Sequence, residues 1–180
     1  MPTPRTNIVL VGFMGSGKSS IGRIVAGRLG FLFVDTDLVI SQRAGMEIPA
    51  IFAREGEDGF RDLETAAIES LGHLNRSVIA TGGGAVLREK NRALLRELGF
   101  VVCLSASEEV IFERVARNTR RPLLQTEDPR ATVSQLLALR QPFYMQAAQF
   151  TVDTSALAHS QSADAVIAAA RKAFSWQAPA

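Results

Sequence analysis

Residues Gly12 to Ser19 read GFMGSGKS, which fits the pattern G-x-x-x-x-G-K-[ST]. Glycines at 12, 15 and 17 let the backbone turn tightly, so that its N–H groups can approach phosphate oxygens. Lys18 adds a full positive charge suited to β- and γ-phosphates, and the Ser19 hydroxyl suits Mg²⁺. Ser16 and Ser20 complete the expected ATP contacts. The apolar run NIVLVG precedes the loop and the helical pattern GKSSIGRIVAGRLG follows it, the strand-to-helix context that the motif requires. A glycine turn that merely happens to precede a helix is the alternative. The lysine, the hydroxyl and both flanks together argue against it. The motif predicts ATP with Mg²⁺ and leaves the phosphoryl acceptor open.

Acceptor chemistry must come from elsewhere. FLFVDTD puts Asp35 and Asp37 at the carboxyl end of the second strand, the edge of an α/β sheet where ligands bind. Two residues apart in extended chain, the carboxylates are expected on one side, one holding a water of Mg²⁺ and the other meeting an acceptor hydroxyl. The alternative makes Asp37 only the N-cap of a helix starting near Leu38. Arg61 and Arg140 lie in apolar surroundings, where a guanidinium needs an anion, from a ligand or from within. For Arg61 the internal candidates are Asp62 and Glu64. Gly82, Gly83 and Gly84 follow a strand in TGGG. A run of glycines is costly in chain entropy and makes sense where backbone lies against a ligand. Arg120 and Arg121 sit in NTRRPLLQTEDPR, a polar stretch without periodicity that fits a mobile loop closing an arginine on transferring phosphate. A solvated charge cluster is the plainer reading.

These residues are spaced along alternating strand and helix patterns. NIVLVG, FLFVD, SVIAT, GFVVCLS and QFTVDT read as strands. Helices are expected after the phosphate loop, over DLVISQRAG, as one or two elements over EIPAIFAREGEDGFRDLETAAIESL, and over VLREKNRALLREL. Three more are expected at about 107–117, 130–148 and 161–175, with Pro142 bending or interrupting the second of these. Strands apolar throughout and separated by helices predict a parallel α/β sheet covered on both faces. The 180 residues suit one domain, and 47% apolar with 21% charged is ordinary globular composition. A net charge of +2 is too small and dispersed for a nucleic-acid partner. No apolar run approaches the roughly 20 residues of a membrane helix, and no secretory pattern opens the chain, so a cytoplasmic location is expected. Cys103, the single cysteine, is expected in a buried strand, and His73 and His159 at surface or helix-end positions. The tail SWQAPA is expected to fray.

Taken in order and spacing, GFMGSGKSSIG, FVDTD, IFAREGEDGFRDLE, IATGGGAV, RRPLL, LALRQPFY and FTVDT resemble shikimate kinase, from about residue 7 to about 154. The resemblance implies a nucleoside-monophosphate-kinase-like P-loop fold. Its five-stranded parallel sheet would run 2-3-1-4-5, with helices on both faces and a lid loop over about 117–128. It implies ATP-dependent phosphorylation of the 3-hydroxyl of shikimate, in the pathway to aromatic amino acids, by a monomer with an acceptor-binding helical region over about 37–72. By motif position Asp37 binds substrate hydroxyls, with a base role open beside it. Arg61 and Arg140 hold the shikimate carboxylate, and Gly82 to Gly84 line the substrate site. Arg121 is the closing lid arginine and Arg117 lies near adenine. SVIAT lacks an acidic end, so Mg²⁺ would rely on Ser19 and, through water, Asp35. A gluconate kinase would share GSGKS but has no need for two buried arginines beside TGGG. A nucleoside monophosphate kinase would need base-recognition elements. A non-catalytic nucleotide-binding module has no use for the full set Lys18, Ser19, Asp35, Asp37 and Arg121.

Overall fold

The structure is a computed structural model that describes residues 5–116 and 127–176. Strands β1 (Asn7–Val11), β2 (Leu32–Asp35), β3 (Ser77–Ala80), β4 (Gly99–Ser105) and β5 (Phe150–Asp153) form one parallel sheet in the order β2-β3-β1-β4-β5. All five expected strands are present, in the order that the resemblance implied. The helices are α1 (Lys18–Leu29), α2 (Thr36–Ala44), α3 (Ile48–Ser70), α4 (Glu89–Leu98), α5 (Glu108–Ala116), α6 (Pro129–Ala147) and α7 (His159–Ala173).

The central strand β1 shows why the sequence reads as continuous hydrophobicity: every residue of it is buried. Ile8 and Leu10 pack with Ile21 and Val25 of α1 and Val166 of α7. Val9 and Val11 belong to the opposite cluster, with Leu95 of α4, Ile111 of α5 and Val133 of α6. Side chains alternate between faces with period two, and helices cover both faces, so neither set can be polar. Each large side chain so buried contributes about 1.5–3 kcal/mol. A third, smaller cluster, Ile40, Ile51, Phe60 and Ala67, joins α2 to α3 and makes the wall on which Arg61 stands.

Helix α3 spans 23 residues but breaks at Gly56, with φ 70° and ψ −175°, a backbone region essentially reserved for glycine. One element with a break therefore answers the expectation of one or two helices. Of the two outcomes expected at Pro142, interruption does not occur: α6 runs continuously through it. It forfeits one backbone hydrogen bond, but Val133 before it and Tyr144 and Ala147 after it are buried, and their packing carries the helix across. The expected fraying of SWQAPA also needs correction at its start. The Trp176 ring lies 4.8 Å from Phe174 and 5.6 Å from Phe31, which packs this residue on the sheet's α1/α7 side, while the rest of the tail lies outside the described residues. Cys103 is buried in β4, and His73 and His159 are exposed. No helix among the described residues is long and apolar enough to cross a membrane.

Candidate active site

The phosphate loop begins where β1 stops. Gly12 has φ 144°, and a Cβ there would fall 2.3 Å from the Leu104 carbonyl oxygen, so the loop lies flat against the end of β4 where no side chain fits. Gly17, at φ 95°, is the left-handed N-cap of α1. The loop's amides and the N-terminus of a 12-residue helix thus share one mouth. Lys18, the first residue of α1, donates from Nζ to the carbonyls of Gly12 (2.8 Å) and Phe13 (2.9 Å). Its ammonium bridges the loop and is held within it. A phosphate oxygen arriving there offers a full charge against two carbonyl dipoles. Gly15 lines the same mouth, Ser16 is buried beneath it and Ser20 is exposed at its edge.

Ser19 and Asp35 meet directly: Ser19 Oγ donates to Asp35 Oδ2 at 2.8 Å. The two are hard oxygen donors beside the loop. Among the described residues no cluster of three His, Cys, Asp or Glu could cage a metal. A hydroxyl and one carboxylate suit Mg²⁺, which keeps waters and takes its other ligands from phosphates.

The acidic pair is arranged differently from the expectation. β2 ends at Asp35 and α2 starts at Thr36, so Asp35 and Asp37 are not alternate residues of one extended strand. Asp35, not Asp37, is the N-cap, accepting from the Asp37 amide at 3.1 Å. A carboxylate here stabilises the first turn's exposed amides, and one side chain thereby serves both the helix and Ser19. Asp37 instead stands in the first turn of α2, with Oδ1 2.8 Å from where a Cβ on Gly82 would be.

The glycine run is a meeting place. A Cβ on Gly82 would also lie 2.9 Å from Glu64 Oε1, and one on Gly84 would lie 2.3 Å from Arg61 Nη1. A Cβ on Gly83 would be 3.7 Å from Arg140 Nη1. The run is pinned by Thr36 Oγ1, which accepts from the Gly82 amide at 3.1 Å, and by the Tyr144 hydroxyl, which donates to the Gly83 carbonyl at 2.5 Å. Three elements, α2, α3 and α6, therefore deliver Asp37, Arg61 and Arg140 to one backbone strip.

Arg61 is paired internally. It donates to Glu64 at 2.8 Å and to Glu57 at 3.3 Å. Asp62, the other internal candidate, pairs with Arg88 instead. Burial is the largest influence on the Arg61 charge and opposes it, but the carboxylates of Glu64 and Glu57 together outweigh burial and raise its pKa. Glu64 is fully buried, and burial pushes its carboxyl up while Arg61 pulls it back. Its Oε1 and the Arg61 Nε have no hydrogen-bond partner. Arg140 is 3% exposed and has no ion-pair partner among the described residues. Its guanidinium lies over the Phe13 ring at 5.8 Å, and its Nε is unbonded.

A cavity of about 480 Å³ runs from Asp37, Gly82 and Gly83 along the phosphate loop to Arg114 and His159. Arg114 and His159 in this cavity, and Glu64 and Tyr144 against the glycine strip, are not marked as site members by the sequence. The i+3 spacing of Glu64 from Arg61 marks it in the sequence only as an internal partner. Arg114 donates to the Gly15 carbonyl and, at 3.0 and 2.9 Å, to Thr154, and nothing local distinguishes it from other helix arginines. Tyr144 and His159 carry no local signal either. Arg117, Arg120 and Arg121, and most of the expected lid, lie outside the described residues.

The family profile described as Shikimate kinase matches residues 14–171. A shikimate kinase of Thermodesulfovibrio yellowstonii is 50% identical over 161 residues, 89% of this chain and 92% of that one. Another, of Thioalkalivibrio sulfidiphilus, is 51% identical over 152 residues, 84% of this chain and 80% of that one. Among solved structures, shikimate kinase from Acinetobacter baumannii in complex with shikimate superposes with a TM-score of 0.88 at 39% identity, covering 96% of this chain and 95% of the other. A gluconokinase from Sinorhizobium meliloti, at 20% identity and a TM-score of 0.56, shares the fold alone. With its phosphate loop, its paired glycine strip and these relatives, the chain belongs to the shikimate kinase family.

Proposed function

We propose that this chain transfers the γ-phosphoryl group of ATP to the 3-hydroxyl of shikimate, giving shikimate 3-phosphate for aromatic amino-acid synthesis. The observation that carries this acceptor is the convergence of Arg61 and Arg140 on the glycine strip beside Asp37. Two buried guanidiniums fit a carboxylate, a carboxylate opposite them fits hydroxyls, and bare backbone between them leaves room for a ring. An open-chain sugar acid also carries a carboxylate, so it is the glycine strip between the arginines and Asp37, room for a ring, that favours shikimate over gluconate.

The chain's own groups divide the work. Loop amides and Lys18 hold the β- and γ-phosphates and stabilise the charge that spreads over the equatorial oxygens in transfer. Gly12, Gly15, Ser16, Gly17, Ser19 and Ser20 shape that cradle. Asp37 orients the attacking hydroxyl, and its carboxylate is the group able to accept the proton as the O–P bond forms. Arg61, Arg140 and Gly82 to Gly84 set the ring so that this hydroxyl points along the loop. Bound at Ser19 and, through water, at Asp35, Mg²⁺ would neutralise charge on the phosphates. Arg121 in the lid at about 117–128, and Arg117 near adenine, enter as the resemblance implies. The whole chain, 1–180, is taken as a single kinase domain with its acceptor-binding region at about 37–72. It is taken to work as a cytoplasmic monomer without nucleic-acid or membrane partners.

A coupled ADP-release assay with shikimate and gluconate as competing acceptors tests the reading. Shikimate should be turned over with at least a hundredfold higher kcat/KM. Equal or greater turnover of gluconate would overturn it.

A further inference from the structure

Asp58, Asp62, Thr65 and Glu69 recur along α3 at intervals of four, three and four residues, which is one face of a helix. That face is polar, and it is turned toward the start of α4. Arg88 donates to Asp62 at 2.6 Å and to the Asp58 carbonyl at 3.3 Å. Lys90 meets Glu69 at 2.6 Å. Between these exposed pairs lies a buried one. Thr65, 7% exposed, places Oγ1 2.8 Å from the side-chain amide of Asn91, which is 0% exposed. The same Oγ1 lies 3.0 Å from the carbonyl of Arg61.

A hydroxyl has one proton to give. With Asn91 presenting Oδ1 to Thr65, the proton is claimed twice and Nδ2 is left buried without a partner. The two amide orientations have the same shape. With the amide turned, Nδ2 donates to Thr65 Oγ1 and the Thr65 proton goes to the Arg61 carbonyl. The bonds then run in one direction, from α4 through Thr65 into the backbone of Arg61. Threonine often bonds back to the carbonyl four residues earlier. What is unusual here is that a buried amide on a second helix fixes that hydroxyl.

The destination matters. Arg61 is the residue whose guanidinium crowds Gly84, and α4 is the element that follows the glycine strip. We infer that Thr65 and Asn91 are positioning residues for acceptor binding: they clamp α3 to α4 so that Arg61 is held at a set distance from Gly82–Gly84. Neither touches substrate. Buried bonds in the middle of a polar seam hold a register that the exposed pairs around them, each worth little, cannot hold alone.

The inference rests on Arg61 being an acceptor anchor, so Arg61→Ala is measured alongside. Thr65→Val removes the hydroxyl at nearly constant volume. It should raise KM for shikimate about tenfold, leaving kcat and the KM for ATP within about twofold. Thr65→Ser should restore wild-type KM. Thr65→Val/Asn91→Leu replaces both polar partners, leaves no buried donor orphaned, and should keep the raised KM in a protein of near wild-type Tm. If Arg61→Ala raises the shikimate KM while the folded double variant does not, the clamp is structural only and the inference fails. An equal rise in both KM values would overturn it as well. If Arg61→Ala itself leaves shikimate KM unchanged, the assignment of Arg61 is what has failed.

Discussion

At the scale of single residues, the site is built from groups that already have partners. Lys18 is bonded to its own loop, so its function is an exchange of carbonyls for phosphate. Lys18→Met should leave a folded protein by circular dichroism with turnover reduced by roughly 10²–10³-fold or more. Near wild-type turnover would remove the loop from the chemistry. Asp35 and Asp37 separate cleanly. Asp37→Asn keeps shape and hydrogen bonding but not the proton acceptor, and roughly 10²–10⁴-fold should be lost in kcat with ATP affinity unchanged. Transfer through a loose transition state asks little of an early base, so a mild Asp37→Asn with a severe Asp37→Ala would assign positioning instead. Asp35→Asn should raise the Mg²⁺ concentration needed for half-maximal rate. The two arginines also differ. Arg61→Ala and Arg140→Ala should each weaken shikimate binding by about 2–5 kcal/mol in calorimetry. Only Arg61→Ala also strands a buried carboxylate, Glu64, and should lower Tm markedly, because breaking one half of a buried pair costs about 3–5 kcal/mol. Equal Tm values for the two variants would mean that Glu64 finds another partner.

At the scale of elements, the glycine strip after β3 is the hinge of the design. It carries no side chains because α2, α3 and α6 press Asp37, Glu64, Arg61 and Arg140 against it. Gly84→Ala would put a methyl 2.3 Å from Arg61 Nη1 and 2.4 Å from Cζ. Arg61 is tied to Glu64 and Glu57 and cannot swing away freely. The variant should therefore fold and bind ATP normally but bind shikimate at least tenfold more weakly, measured by isothermal titration. Unchanged shikimate affinity would show that the guanidinium has room to retreat. The break at Gly56 acts at the same scale, because it lets α3 change direction just ahead of Glu57 and Arg61.

At the scale of the whole molecule, Cys103 reports on the integrity of the sheet. It lies in β4 between the phosphate loop's apolar neighbours and α6, 2% exposed, and burial pushes its thiol up to about 11. An unfolded cysteine titrates near about 8.5. The folded state thus favours the neutral thiol, so this contribution to stability is whole below the unfolded pKa and is lost as pH rises toward the folded one. Alkylation by iodoacetamide at pH 8 should be slow in the native protein and fast in denaturant. Stability from urea melts should fall between about pH 8.5 and 11, and less so in Cys103→Ala. Fast native alkylation would mean that β4 opens locally.

The sequence by itself determined the elements and the phosphate loop. Period-two burial on two covered faces leaves β1 no choice but unbroken hydrophobicity, and a loop that must turn against backbone and present amides leaves little but glycine, lysine and a hydroxyl residue. It also marked Arg61, Arg140 and the TGGG run as anomalies, because buried charge and bare backbone are costly unless something answers them. Only the tertiary structure decided what answers them. Asp35 rather than Asp37 caps α2, since the helix starts one residue after the strand and not at Leu38. Glu64 rather than Asp62 takes Arg61, since i+3 faces the same groove and i+1 faces α4. Tyr144, Arg114, His159 and the Thr65–Asn91 contact come from residues 26 to 99 positions away from their partners or from the cavity's far end. Local spacing encodes which face a residue occupies, whereas its partner across the fold is set by sheet order and helix packing, which no short stretch of chain contains.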